Sequence, residues 1–299
     1  MSQIMKLDRL PYLAAVIEAG SFTQAAERLG VTKAVVSAQV SRLEEELGVA
    51  LLNRTTRKVS PTPEGDLLFE RSRIILQEAA DVREALSSAM DRPTGVLRVT
   101  APLDYGQLVL VPLMAEFRKL YPECSVVLDL TDQIVDMQSG KWDLSVRLGW
   151  LNDSSMKARK VSEFRQALVA TPELLKQGLS PTLISDLASL PFVGNTALSD
   201  PGTWDFSGQN GQVERVRFDV VASMSTTPAV LEAVKCGLGA SVLPCFLVDD
   251  AIQKGDLVQL LPEWELRKGG IYMVFPPARY RPPKVKVFAD MLIEAVGRR

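Results

Sequence analysis

Residues 21–48 read SFTQAAERLGVTKAVVSAQVSRLEEELG, and this stretch decides the N-terminal fold. Ser21 and Gln24 have the spacing of a capping box, which predicts that the Ser21 hydroxyl caps a short helix ended by Gly30. Thr32 then predicts the cap of another helix after a tight turn. Two helices joined by a glycine-containing turn of three or four residues predict a helix-turn-helix.

The helix that follows Thr32 has two different faces. Four apolar residues fall on one stripe at about 100° per residue and predict a buried face: Val36, Val40, Leu43 and Leu47. The other side carries small or basic residues that could approach a DNA major groove: Lys33, Ala34, Ser37, Ala38, Ser41 and Arg42. The alternative is the ordinary polar face of a small helical domain.

A two-stranded wing is predicted directly after this helix. Residues 49–52 and 59–60 read as short strands, and the turn between them brings Arg54 and Arg57 together. Such a turn suits contact with the DNA backbone or minor groove. An acidic run at 44–46 precedes it, and the alternative for either charge cluster is a solvated surface.

Four segments of the first 70 residues resemble the N-terminal signature of LysR-type transcriptional regulators. They read SFTQAAERL (21–29), SAQVSRLEEELG (37–48), LLNR (51–54) and TPEG (62–65). The resemblance implies that the third helix reads the major groove and that the wing holds the backbone. With the helix pattern, it gives these candidate DNA-binding residues: Ser21, Thr32, Lys33, Ala34, Ser37, Ala38, Ser41, Arg42, Arg54 and Arg57.

The sequence departs from the family pattern in two places, which involve three residues. Lys33 and Ala34 stand where the family often has Gln followed by Pro or Ser, and Ala38 stands where it often has Arg. The preference for particular bases is therefore not inherited from a relative. Lys33 could reach a guanine base or only a phosphate.

A long helix is predicted over residues 62–92, with Thr62 as its cap and Pro63 at its first position. Leu68, Ile75, Val82 and Ala89 repeat every seven residues, which indicates a coiled-coil dimer seam. The alternative is a helix that lies on its own domain. The resemblance favours a homodimer that pairs two DNA-binding domains, and it implies tetramers built from two dimers.

Composition limits the class of protein. A length of 299 residues suggests two domains of roughly 150 each, and the share of charged residues, 23%, is that of a soluble globular chain. No apolar run or N-terminal signal predicts a membrane span or secretion, so a cytoplasmic protein is expected. Without histidine or a C-x-x-C pair, we expect no catalytic residue, metal or cofactor. The net charge of −2 means that any nucleic-acid footprint is local.

Strands and helices alternate after Gly95 and predict an α/β domain. Residues 215–222 read as one strand, and a helix is expected over 108–120. Segments APLD (101–104), DLSVRLG (143–149), GLGASVLP (237–244) and PPKV (282–285) resemble the family's effector domain, which looks like a two-lobed periplasmic binding protein.

The predicted fold class is therefore α plus α/β, with four parts. They are a winged helix-turn-helix at 1–61, a linker helix at 62–92, lobe I at 93–164 and 267–299, and lobe II at 165–266. The resemblance supplies the two crossings between the lobes.

A ligand site is expected where the lobes meet, because open α/β sheets bind ligands at the carboxyl ends of strands and helix N-termini attract carboxylates. The candidate effector-binding residues are Pro102, Leu103, Asp104, Arg147, Gly149, Asn195, Thr196, Trp204, Ser223, Ser225 and Thr226. Asp104 either faces this cleft or is a simple helix cap. Arg147 either pairs with a ligand or forms an ion pair on the surface or between the lobes, and Trp204 either lines the cleft or packs in the core.

The sequence thus predicts a regulator that binds operator DNA sequence-specifically and senses a small organic effector. The alternative is a solute-binding or enzymatic α/β protein with an incidental helical N-terminal domain. The density of the N-terminal motifs and the absence of histidine argue against that alternative.

Overall fold

The computed structural model describes residues 6–54, 59–87, 93–150, 158–176, 181–277 and 281–297. The α-helices are α1 (Leu10–Ala19), α2 (Phe22–Leu29), α3 (Lys33–Leu47), α4 (Pro63–Ser87), α5 (Leu103–Tyr105), α6 (Val111–Leu120), α7 (Pro172–Lys176), α8 (Thr227–Lys235), α9 (Cys245–Lys254) and α10 (Pro283–Gly297). Short 3-10 helices span Leu7–Arg9 and Ile184–Ser189, and a π-helical turn spans Gly106–Leu110.

The β-strands are β1 (Leu52–Arg54), β2 (Val59–Pro61), β3 (Gly95–Ala101), β4 (Cys124–Leu130), β5 (Leu144–Gly149), β6 (Ala158–Phe164), β7 (Gln166–Ala170), β8 (Pro191–Asn195), β9 (Thr203–Ser207), β10 (Val213–Arg217), β11 (Asp219–Met224), β12 (Ser241–Pro244), β13 (Val258–Gln259), β14 (Glu265–Leu266) and β15 (Gly269–Val274).

The chain divides into two compact units. The first holds Met1–Arg92 with Asp136–Asp143 and Pro276–Pro283, and the second holds Pro93–Val135, Leu144–Phe275 and Lys284–Arg299. The segments 136–143 and 276–283 group with the first unit, whereas the sequence analysis assigned both to lobe I.

Helices α1 to α3 of the first unit pack around an apolar core. Val36, Val40 and Leu43 of α3 are fully buried in it, as the sequence predicted. Leu47 was expected on the same stripe but is exposed, because it is the last helical residue before Gly48. The strands β1 and β2 pair antiparallel and form the base of the wing.

The two predicted helix caps differ in outcome. The Thr32 hydroxyl accepts a hydrogen bond from the Val35 amide at 3.4 Å, so this cap is confirmed. The Ser21 capping box is wrong, because the Ser21 side chain makes no capping hydrogen bond, although α2 begins at Phe22 as expected. The Ala25 amide bonds to the Ser21 carbonyl instead, so the backbone alone closes the first turn.

Helix α4 packs on the domain that precedes it. Leu68 and Ile75 are half-buried against the core of α1 to α3, whereas Val82, one heptad later, is 56% exposed. Leu68 and Ile75 therefore pack against the core of the helical domain, which agrees with the alternative that this helix lies on its own domain. Ala89 lies outside the described residues.

Lobe I of the second unit is built on a five-stranded sheet with the order β4-β3-β5-β15-β6. Strand β3 runs parallel to β4 and β5, while β15 runs antiparallel to β5 and β6. Helices α6 and α10 contribute Phe117 and Phe288 to its core. The helix predicted over 108–120 begins earlier, since α5, the π-helical turn and α6 follow one another without a break.

In its described residues, lobe II contains three small sheets, with the orders β12-β7-β13, β11-β8 and β10-β9-β14. The single strand predicted over 215–222 is wrong, because the chain changes sheets at Phe218. There β10 leaves its antiparallel pairing with β9, and β11 begins a parallel pairing with β8. Phe218 is buried, and its amide bonds to the Gly202 carbonyl at 2.9 Å.

Aromatic side chains connect the two lobes. The ring of Phe246, at the start of α9, packs edge-to-face against Tyr105 of α5 and against Phe164 of β6. Strand β6 is followed directly by β7, so Phe164 is the last strand residue of lobe I before the chain enters lobe II. Helix α5 lies against α8, which brings Asp104 close to the other lobe.

Candidate functional site

The first candidate site is the exposed face of α3. Five of the predicted DNA-binding residues are exposed there: Thr32, Lys33, Ala34, Ala38 and Arg42. Ser37 and Ser41 are half-buried between that face and the core. They share one side of the helix because Val36, Val40 and Leu43 commit the other side to the core. Ser21 is half-buried before α2.

The sequence analysis missed two apolar residues at the start of this face. Val31 and Val35 are both exposed beside Thr32 and Lys33. An exposed apolar side chain here could contact the methyl group of thymine. The sequence did indicate that Val35 is exposed, because Val35 lies off the apolar stripe of α3 formed by Val36 and the residues that follow it.

The glutamates at the end of α3 are bound within the domain. The Glu44 carboxylate accepts hydrogen bonds from the amides of Leu51 and Leu52, at 2.9 and 3.2 Å. Glu46 pairs with Arg9 and accepts a hydrogen bond from the Lys6 amide. Two of the three acidic residues therefore support the fold instead of forming a merely solvated surface.

The wing is described only at its base. Residue 54 ends β1 and pairs with Val59 of β2, which fixes the two ends of the turn. The side chain of Arg54 and all of Arg57 lie outside the described residues.

The second candidate site lies where α5 of lobe I meets α8 of lobe II. Asp104 is only 4% exposed, and its Oδ1 accepts a hydrogen bond from the Tyr105 amide at 2.7 Å. Burial raises the pKa of Asp104 to about 6, and repulsion by Asp132 acts in the same direction. The hydroxyl of Thr227 faces this carboxyl group and lowers its pKa. That hydroxyl accepts a hydrogen bond from Asn195 Nδ2 at 3.2 Å, so its own proton can point to Asp104.

Asp132 is a site residue that the sequence analysis missed. Its Oδ1 accepts a hydrogen bond from the Leu103 amide at 3.3 Å, while its Oδ2 is buried without a hydrogen-bond partner among the described residues. Burial raises its pKa, and the Leu103 amide, Arg147 and the Thr227 amide oppose that shift. The available signal was its position just beyond the carboxyl end of β4, the strand next to β3.

Arg147 lies on β5, beside Asp132. Its Nη1 donates to the Thr131 carbonyl at 3.4 Å, and its Nη2 is buried without a partner in the described part of the chain. Burial lowers the pKa of Arg147, and Asp132 opposes that shift. The two groups act on each other electrostatically, yet no ion pair within 4.0 Å joins them among the described residues.

Two other predicted cleft residues, Trp204 and Thr196, have hydrogen-bond partners within lobe II. Trp204 lies on β9, is only 9% exposed within the core of lobe II, and donates from Nε1 to the Pro201 carbonyl, which agrees with the alternative of core packing. Thr196 bonds to the Met224 carbonyl through both its amide and its hydroxyl.

The remaining predicted residues lie at the ends of helices and strands in the two lobes. Pro102 and Leu103 begin α5, Gly149 ends β5 in the left-handed region of φ, and Thr226 precedes α8. Ser223 and Ser225 are exposed nearby. In the described residues, no group of three or more Cys, Asp or Glu side chains could hold a metal ion, and no helix is long and apolar enough to cross a membrane.

Comparison with protein families gives two matches that together span most of the chain. Residues 7–66 match the family described as bacterial regulatory helix-turn-helix protein, lysR family. Residues 90–297 match the LysR substrate binding domain.

Similar proteins of known name are transcriptional regulators. The regulator PtxR of Pseudomonas aeruginosa is 41% identical over 98% of this chain and 94% of its own. The solved structure of CrgA, a LysR-type regulator of Neisseria meningitidis, is 32% identical, with a TM-score of 0.63 over 97% of this chain and 98% of its own. The full-length structure of AphB, a virulence activator of Vibrio cholerae, is 28% identical with the same TM-score over 97% and 99% of the two chains.

Proposed function

The chain belongs to the LysR family of transcriptional regulators and has a helix-turn-helix domain and an effector-binding domain, and we propose that α3 reads operator DNA under the control of a small molecule bound between the lobes. The observation that carries the proposal is the exposed face of α3, where small and basic side chains stand opposite a buried apolar stripe. Small residues let the helix approach base edges closely, and Lys33 and Arg42 supply positive charge.

Binding is proposed to require two copies of the chain. A dimer formed through the C-terminal half of α4 presents two copies of α3 to the two halves of a symmetric operator. Two such dimers form the proposed tetramer. The protein acts in the cytoplasm, where the chromosome is, and it is not an enzyme.

Lys33→Ala tests the reading face. We expect the mutant to bind operator DNA about tenfold more weakly and to change its ranking of operator variants, because a lysine in the groove contacts base edges. A uniform loss across all variants would assign Lys33 to a phosphate. The measurement is filter binding to genomic fragments at several salt concentrations.

Lys119→Ala is the matched control, since Lys119 is exposed on α6, in the other unit. It should leave both affinity and ranking unchanged. Unaltered DNA binding by Lys33→Ala at low salt would contradict the assignment of α3.

A further inference from the structure

Two buried atoms of opposite polarity in the proposed effector site have no hydrogen-bond partner among the residues that the structure describes. They are Oδ2 of Asp132, an acceptor, and Nη2 of Arg147, a donor. Buried polar atoms in proteins are nearly always hydrogen-bonded, and an unpaired one is costly when it carries charge. The two side chains are near enough to influence each other but form no ion pair. A bound molecule can therefore supply a hydrogen-bond donor to Asp132 and an acceptor to Arg147.

The acidic side of the site holds two carboxyl groups. Asp104 and Asp132 repel each other, and Thr227 acts on both, through its hydroxyl on Asp104 and through its amide on Asp132. The amides of Tyr105 and Leu103 also donate to these carboxyl groups, but none of these donors carries a positive charge that could neutralise two carboxylates. An ammonium group carries a positive charge and three donors, so it can satisfy both at once.

The basic side of the site holds one unused guanidinium donor. A carboxylate accepts hydrogen bonds from arginine strongly. A ligand with a carboxylate alone would have to approach two aspartates. A ligand with an amine alone would leave Nη2 of Arg147 unpaired.

We propose that the effector is a small amino carboxylate whose ammonium group lies at Asp104 and Asp132 and whose carboxylate pairs with Arg147. This inference rests on the proposed function, which makes the meeting point of α5 and α8 the effector site. Because the two unpaired atoms are shielded from solvent, the ligand enters only when α5 and α8 separate. It then takes the place of Thr227 on the carboxyl groups.

The test is calorimetry on the full-length protein with the proteinogenic amino acids as probes. Each amino acid that binds is compared with its deaminated acid and its decarboxylated amine, which are propionate and ethylamine for L-alanine. We expect both analogues to bind at least about tenfold more weakly, since each lacks one charge-assisted hydrogen bond.

Two variants assign the two ends of the ligand. Asp132→Asn should weaken the best amino acid about tenfold and reduce its advantage over the deaminated acid. Arg147→Gln should weaken it similarly and reduce its advantage over the amine. Glu116→Gln, which changes an exposed carboxylate on α6 of the same lobe, is the control and should have no effect. If a cleft variant does not fold, the analogue series on the unaltered protein decides.

The proposal is overturned if no amino acid binds, or if either analogue binds as tightly as the amino acid. Operator binding is measured in parallel with the same preparations. A protein that binds its operator but fails this series refutes only the class of ligand. A protein that binds no operator sequence-specifically refutes the proposed function.

Discussion

The carboxyl group of Asp104 is buried, and burial disfavours its charged form. Its pKa of about 6 lies above the ordinary value of 3.8, so between these values the folded protein holds a proton that the unfolded chain has released. The free energy of unfolding therefore falls as the pH rises through this window, and the full cost remains above it. The site thus costs folding stability at neutral pH, as expected of a group kept for binding.

Asp104→Asn should remove that cost. We expect the free energy of unfolding at neutral pH to rise by about 2 kcal/mol, because an amide carries no charge to bury, and its pH dependence between about 4 and 6 to weaken. Urea unfolding followed by tryptophan fluorescence at several pH values measures both effects. Asp219→Asn, at an exposed aspartate on β11, is the control. A mutant with unchanged stability and an unchanged pH slope would refute the explanation by burial.

Single residues were predictable from sequence when their neighbours in the chain determine them. The Thr32 cap and the buried Val36 and Val40 follow from local spacing, and the structure has them. The partners of Asp104 do not follow from local spacing, because Asp132 and Thr227 come from segments 28 and more residues away. The parallel pairing of β3 with β4 brings Asp132 close, and the packing of α5 on α8 brings Thr227.

At the scale of elements, Gly65 fixes the join between α4 and the wing. A Cβ atom at this position would lie 1.9 Å from the Leu51 carbonyl oxygen, which accepts a hydrogen bond from the Thr62 amide. The Thr62 hydroxyl in turn caps α4 through the Gly65 amide at 3.0 Å. Backbone atoms cannot yield to a new methyl group as a flexible side chain can.

Gly65→Ala should therefore displace the residues before β1 and destabilise the helical domain by about 2 kcal/mol. Thermal unfolding of the full-length protein measures the loss, and DNA binding should weaken with it. Leu67→Ala, at an exposed residue two positions later, should change the stability by much less. Equal stability of Gly65→Ala and the unaltered protein would show that the backbone moves freely at this join.

Elements were predicted well where one periodicity continues and poorly where tertiary pairing intervenes. Helix α3 has a cap, an apolar stripe and a glycine end, and all three lie in its own sequence. The region of β10 and β11 reads as one strand because its residues favour extended structure throughout. Only the pairing with β9 on one side and β8 on the other divides it at Phe218.

At the scale of the whole molecule, the apolar residues of α4 differ in their surroundings along its length. Ile75 packs on the helical domain, and Val82 leaves an apolar side chain exposed seven residues later. The heptad pattern in the sequence covers both positions and could not separate them, since core packing and dimer packing use the same spacing.

Val82→Glu should therefore shift the proposed dimer to monomers and raise its dissociation constant about tenfold or more, without destabilising the helical domain. Ile75→Glu should lower the stability of that domain itself, because it places a charge against an apolar core. Sedimentation and thermal unfolding separate the two effects. Val82→Leu keeps the apolar contact and serves as the control. An intact dimer of Val82→Glu at low concentration would exclude this part of α4 from the interface.

The bonds from Glu44 to the amides of Leu51 and Leu52 have a consequence for operator geometry. They connect the end of α3 to the first strand of the wing. The helix proposed to read bases and the wing expected to contact phosphates are therefore held at a fixed distance from each other. If both parts contact DNA as proposed, each half-site is expected to present its bases and its contacted phosphates at one separation set by the protein, and DNA with another separation is expected to bend.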